Sequence, residues 1–200
     1  MLSLAVPCAV GAQSNVLDLR PFEYDRDGRL VYQFYSYTAL FAGGRYMVEA
    51  FHLRLPVAHY TETGGGIGFG LPTDVVRPVT GAVFLQMARA TDATYFEPAI
   101  AVTATKSRVT SSVFVLRYTP VDSKGTSQWL IDPLDVQVAV GYGVSVGASS
   151  YLWRPEGGPS LTKVGGVIGL AIRGGFVQLA LRQANQGIGL ETQFRTVIVF

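Results

Sequence analysis

Residues 135–148 form one long alternation, and no other stretch of the chain limits its fold as tightly. The even positions Val136, Val138, Val140, Tyr142, Val144, Val146 and Ala148 are all apolar, whereas the odd positions Gln137, Ala139, Gly141, Gly143, Ser145 and Gly147 are small or polar. A period of two belongs to β-strands, whose successive side chains point to opposite faces. A strand in a soluble sandwich alternates too, but its outer face normally offers Lys, Glu, Thr or Gln to water. A face of Gly, Ala and Ser implies crowding instead. The inside of a narrow barrel supplies that crowding, and lipid outside accounts for uninterrupted Val and Tyr. The alternation therefore predicts an all-β chain folded as an antiparallel, up-and-down transmembrane β-barrel.

Composition points the same way. Charged residues make up 15% of the 200 positions and hydrophobic ones 48%, with a mean hydropathy of +0.29. Soluble domains carry roughly 25% charged residues. No apolar run reaches the ~18 residues that a membrane helix needs, so strands must carry the hydrophobicity. A net charge of +2 without a basic cluster gives no electrostatic footprint for nucleic acid.

Residues 1–12 are mostly apolar and end on Val10-Gly11-Ala12 before the polar Gln13-Ser14-Asn15. Small residues in this pattern predict a shortened signal peptide cleaved after Ala12. Cleavage would remove Cys8, the one cysteine, leaving no disulfide, thiol nucleophile or thiolate metal site. Residues 13–29, with Pro21, Asp25, Asp27 and Gly28, read as an exposed lead-in, and 30–200 as a single barrel domain. Within it, strands are expected over 30–41, 46–57, 75–88, 95–105, 108–118, 135–148, 166–173, 177–182 and 188–200. Single-chain bacterial barrels have even strand numbers. The expectation is therefore eight to ten strands, with 63–71 as the candidate extra. Tyr118, Trp129, Tyr151 and Trp153 lie near strand ends, where interfacial aromatic girdles sit.

The last three segments place Arg173, Arg182, Glu191, Gln193 and Arg195 on one face of a meander. Charges that cannot face lipid gather inside, and alternation over 46–57 adds Arg54 to this lumen cluster. An excess of Arg there would favour anions in any conduit. The closing segment presents Phe194, Ile198 and the terminal Phe200 on one face. It resembles the C-terminal strand of bacterial outer-membrane β-barrel proteins, departing from it at Thr192 and Thr196, where bulkier apolar residues are commoner. The resemblance implies residence in outer-membrane lipid and recognition by the barrel-assembly machinery.

Signs of chemistry are sparse. His52 falls with Ala50 and Arg54 on the face opposite Phe51, Leu53 and Leu55, hence toward the lumen, and His59 falls near a strand end. Gly143-Val144-Ser145-Val146-Gly147 spells G-x-S-x-G, but that motif works on a sharp strand-to-helix turn, and no helix follows. His52 and Ser145 are the residues a hydrolytic reading would need. Two histidines without cysteine make no zinc site, and no cofactor motif is present. The role expected is structural, adhesive or that of a narrow conduit. The alternatives are a secreted β-sandwich or lipocalin-like barrel holding an apolar ligand, and a membrane-embedded lipid-modifying enzyme.

Overall fold

The computed structural model describes residues 14–71, 79–185 and 189–200. The expected cleavage after Ala12 falls outside them. The described chain forms twelve antiparallel strands: β1 Ser14–Tyr24, β2 Leu30–Phe41, β3 Tyr46–Leu55, β4 Tyr60–Gly70, β5 Val79–Ala90, β6 Thr94–Lys106, β7 Val109–Pro120, β8 Gln128–Gly141, β9 Val144–Pro155, β10 Leu161–Ile172, β11 Gly175–Ala184 and β12 Gly189–Val199. Each pairs with its neighbours in sequence, and β1 pairs with β12 to close the barrel. Asn15 and Phe200 exchange backbone hydrogen bonds of 2.7 and 3.0 Å at the seam.

Twelve strands exceed the eight to ten expected, for three physical reasons. First, residues 14–24 are a wall strand and not a lead-in. Leu19 pairs with Thr196 and Phe22 with Phe194, so Arg20 and Pro21 together oppose Arg195. This β-bulge turns Asp18, Arg20 and then Glu23 inward, which breaks the period of two and hides the strand; a bulge is also where a sheet tolerates proline. Second, the glycine-rich 60–70 segment is a complete strand, β4. Third, the alternating run 135–148 is a hairpin. Tyr142 and Gly143 both have positive φ (52° and 76°), as a type I′ turn requires. A two-residue turn alone would swap the parity of the two faces. Here Gly141 pairs with Val144 but Ala139 with Ser145, leaving Val140 as an extra residue that restores the parity. The alternation thus runs through the turn undisturbed.

The outer wall is a belt of aliphatic side chains, among them Ile67, Leu85, Ile100, Ile168, Leu179 and Leu181. Aromatic residues flank it toward the strand ends: Phe22, Tyr24, Phe96 and Trp129 at one end, and Phe41, Tyr46, Phe69 and Phe200 at the other. An apolar band between aromatic girdles is what a bilayer demands of a barrel. The second end also carries the chain end at Phe200, the two-residue turns at 107–108, 142–143 and 173–174 and the β4–β5 connection, whereas the loops over 25–29, 121–127 and 156–160 lie at the first.

Inside, two glycines of β4 have a spatial reason. A Cβ on Gly64 would sit 2.6 Å from the Phe51 ring and 2.8 Å from Ala88, and one on Gly68 would sit 2.7 Å from Phe84. Both make room for inward rings. Toward the end with Phe200, Val16, Leu40, Met47 and Val197 are buried within one apolar cluster. They line the β12–β1–β2–β3 side of the lumen at that end with hydrocarbon.

Candidate functional site in the lumen

The inner wall of β1, β10, β11 and β12 carries an ion-pair network. Asp18 accepts from Arg20 Nη2 (2.9 Å) and from Arg195 Nε (3.0 Å) and Nη2 (2.8 Å). Glu23 accepts from Lys163 Nζ (2.7 Å), Arg182 Nη2 (3.1 Å) and the Gln193 amide. Lys163 also pairs with Glu191 at 2.5 Å. All of these residues are buried. Such geometry, with every charge answered by an opposite one, is what keeps a charge tolerable inside a barrel wall. Three of the cations also lie over rings: Arg20 over Phe34 (5.3 Å), Lys163 over Tyr151 (5.4 Å) and Arg195 over Phe176 (5.4 Å).

Beside the network lies a cavity of about 40 Å³ bordered by Asp132, Ser149, Gln178 and Arg182. Asp132 Oδ1, Ser149 Oγ, Gln178 Nε2 and Arg182 Nε are buried without a hydrogen-bond partner in the protein. Buried polar atoms need partners, and about 40 Å³ admits about three or four waters, at roughly 10–15 Å³ of probe-occupied volume each. The slot is built for water. Asp132 and Asp135 both border it because a second bulge lies between them, as register shifts to β7 and β9.

The opposite half of the lumen is acidic and aromatic. Glu49, Glu62 and Glu97 border a cavity of about 70 Å³ together with Phe51, Phe84 and Tyr118. Gln86 Nε2 donates to Glu49 (2.8 Å) and Tyr60 Oη to Glu62 (2.6 Å). Glu97 is 1% exposed, and its Oε1 has no hydrogen-bond partner.

Of the residues singled out in the sequence, the structure brings Arg182, Glu191, Gln193 and Arg195 together inside the barrel. It places Arg54 on the outer face, because Phe51 and Leu53 of β3 are buried inward and Arg54 alternates with them. Arg173 lies in the exposed turn between β10 and β11. The arginine excess behind an anion preference is therefore absent. Inward carboxylates are Asp18, Glu23, Glu49, Glu62, Glu97, Asp132, Asp135 and Glu191, against Arg20, Lys163, Arg182 and Arg195 among the described residues.

His52 is likewise exposed outside, its Nδ1 2.8 Å from Thr63 Oγ1. Ser145 follows the hairpin turn and donates to Gln137 Oε1 (2.9 Å). The two are not brought together. Among the aromatics, Trp129 faces out. Tyr118 is buried inward, edge-on to Tyr95. Tyr151 lies under Lys163. Trp153, in register with the inward Leu130, donates to Gln128 (2.7 Å). These three serve the lumen, because bulky rings are needed to fill a twelve-strand interior. Phe194 and Phe200 are exposed on the outer face of β12, with Ile198 between them in the alternation. Sequence reading missed Asp18, Arg20, Glu23 and Lys163. The run Asp18-Leu19-Arg20 was the available signal, an alternation of charge with leucine.

No protein-family model matches the sequence, and no characterised protein matches it. Solved structures do match in fold. The chain is similar to the KdgM porin (8% identity, TM-score 0.61, covering 94% of this chain and 98% of that one). It is similar to the KdgM porin in complex with disordered oligogalacturonate (5%, 0.62, with the same coverage) and to the NanC porin (6%, 0.58, again 94% and 98%). The fold is that of a small outer-membrane porin.

Proposed function

We propose that this chain is an outer-membrane conduit for small hydrated solutes, with a lumen that favours cations. The observation that carries the reading is the charge balance inside the closed barrel: eight inward carboxylates, named above, against four inward cations. Rings of Asp and Glu select cations in pores. Twelve strands lie between the eight that side chains just fill and the sixteen of open aqueous channels, which fits a narrow path lined by the polar slot. Val16, Leu40, Met47 and Val197 border that path with apolar side chains on one side.

The aliphatic belt and girdles support residence in lipid, and the outward Phe194, Ile198 and Phe200 of the closing strand support engagement by the assembly machinery. The neighbouring KdgM porin was seen with oligogalacturonate, an acidic ligand. The lumen described here is itself net acidic, so that ligand does not carry over.

Planar-bilayer recording across a tenfold KCl gradient tests the reading. It should give small, steady conductance with a reversal potential of the sign for K⁺ preference, and Met47→Ser should raise the conductance. Anion preference, or no conductance from either protein, would refute it.

A further inference from the structure

Outward-facing charge on this barrel is distributed unevenly. Toward the ends of four successive ascending strands, at the loop end, Arg54 of β3, Arg89 of β5, Arg117 of β7 and Arg154 of β9 all point out of the wall. At the other end Lys106 is the one charged residue at an outward strand position among the described residues, the further charges there, Arg45, Arg108 and Arg173, lying in turns. Arg89 is engaged: it donates to Thr94 Oγ1 (2.8 Å) and lies 3.7 Å from Asp122. Arg117 and Arg154 have no carboxylate within ion-pair distance among the described residues.

Those two arginines frame a built site. Trp129 is in register with Arg117 on one side and with Arg154 on the other, so all three project outward from adjacent strands. The Arg117 guanidinium stacks over the Trp129 ring at 5.1 Å. Two strand spacings put the arginine backbones about 10 Å apart, close enough for both side chains to converge on one anion. Between them and the 156–160 loop lies a groove of about 440 Å³, bordered also by Ser127, Glu156 and Gly157. The groove opens at the level of the aromatic girdle, where a lipid's polar headgroup meets its chains.

We propose that this groove binds the phosphate of a membrane-lipid headgroup in the leaflet on the loop side. Guanidinium forks hold phosphate bidentately, basic pockets at the interface select charged headgroups, and Trp129 supports the acyl–headgroup boundary. Glu156 on the rim favours a lipid that also offers a hydroxyl donor. The inference rests on the barrel spanning a membrane, but not on the lumen conducting.

The test uses full-length protein folded in maltoside micelles, with Trp153→Phe so that Trp129 is the sole tryptophan. Phosphatidic acid should shift the Trp129 emission saturably, and diacylglycerol, the same lipid without phosphate, should not. Arg117→Ala/Arg154→Ala should weaken the response at least about tenfold, the loss of one charge-assisted contact or more. Native mass spectrometry of the wild-type protein, counting retained phosphatidic acid, gives a readout that does not depend on the Trp153 substitution. Heat-modifiable gel migration, retained in every variant, separates loss of the site from loss of the barrel. Equal responses to the two lipids, or an unchanged response in the double variant, would overturn the proposal. So would saturation by inorganic phosphate alone, which would assign the site to the free ion. A barrel that fails to fold in micelles at all would instead overturn the membrane reading beneath it.

Discussion

Glu23→Gln is the most informative single change, because it separates a packed lumen from a flooded one. Glu23 is 1% exposed and binds both Lys163 and Arg182. Lys163 keeps Glu191 as a second partner, so the damage concentrates on Arg182, which is 8% exposed and pairs only with Glu23 among the described residues. Two unit charges about 4 Å apart at an effective dielectric constant of about 20 attract by about 4 kcal/mol. Removing one partner of a buried pair costs about 3–5 kcal/mol. The polar slot beside Arg182 lets water offset some of this, which places the expected loss near the lower bound, about 3 kcal/mol. Glutamine keeps the volume, but its amide nitrogen now meets the Gln193 amide that formerly donated to the carboxylate.

The assay is urea unfolding in lipid vesicles, followed by tryptophan fluorescence and by heat-modifiable migration. Glu23→Gln/Arg182→Met should recover about 2 kcal/mol, since it removes the stranded charge. A loss below about 1 kcal/mol, the range of solvated ion pairs, would show this part of the lumen open to bulk water and refute the packed network.

Three further outcomes are expected. Leu179→Arg places a charge at the middle of β11, 44% exposed on the outer face, and should cost about 2–4 kcal/mol in vesicle unfolding. Gly64→Ala drives a Cβ into the Phe51 ring at 2.6 Å and should cost about 1–3 kcal/mol, partly relieved by Phe51→Leu in the same unfolding assay. In the 25–29 loop, the N–H groups of Arg29 and Asp27 and the Arg29 side chain hold the Asp25 carboxyl below the usual carboxylate range. A lowered folded-state value stabilises above the unfolded one and is lost as the pH falls through it. The protection factors at Asp27 and Arg29, that is exchange relative to the intrinsic rate at the same pH, should therefore hold at neutral pH and fall only in acid, below about pH 4; protection unchanged to pH 2 would refute the cap.

Periodicity by itself determined a good deal of this protein. Over 166–200, Arg173 in its turn apart, it assigned the faces that the structure shows, because there the lumen side carries Arg, Glu and Gln and the lipid side does not. Around β3 the same rule failed. Both faces hold apolar residues, and parity states only that two faces exist, not which one lipid touches. The acidic, aromatic half of the lumen takes Phe51 and Leu53 inside, and this sends His52 and Arg54 out.

Bulges set the other limit. Pro21 and Val140 each shift parity by one, concealing one strand and fusing two others, and the shift is visible only against a partner strand. The ion pairs lay further still from the sequence. Glu23 and Lys163 are separated by 140 positions and meet because β1 closes on β12, two strands from β10. Side-chain alternation is a local property of the backbone and can be read along the chain. Closure, register and the choice of inside are properties of twelve strands together, and only the tertiary structure decided them.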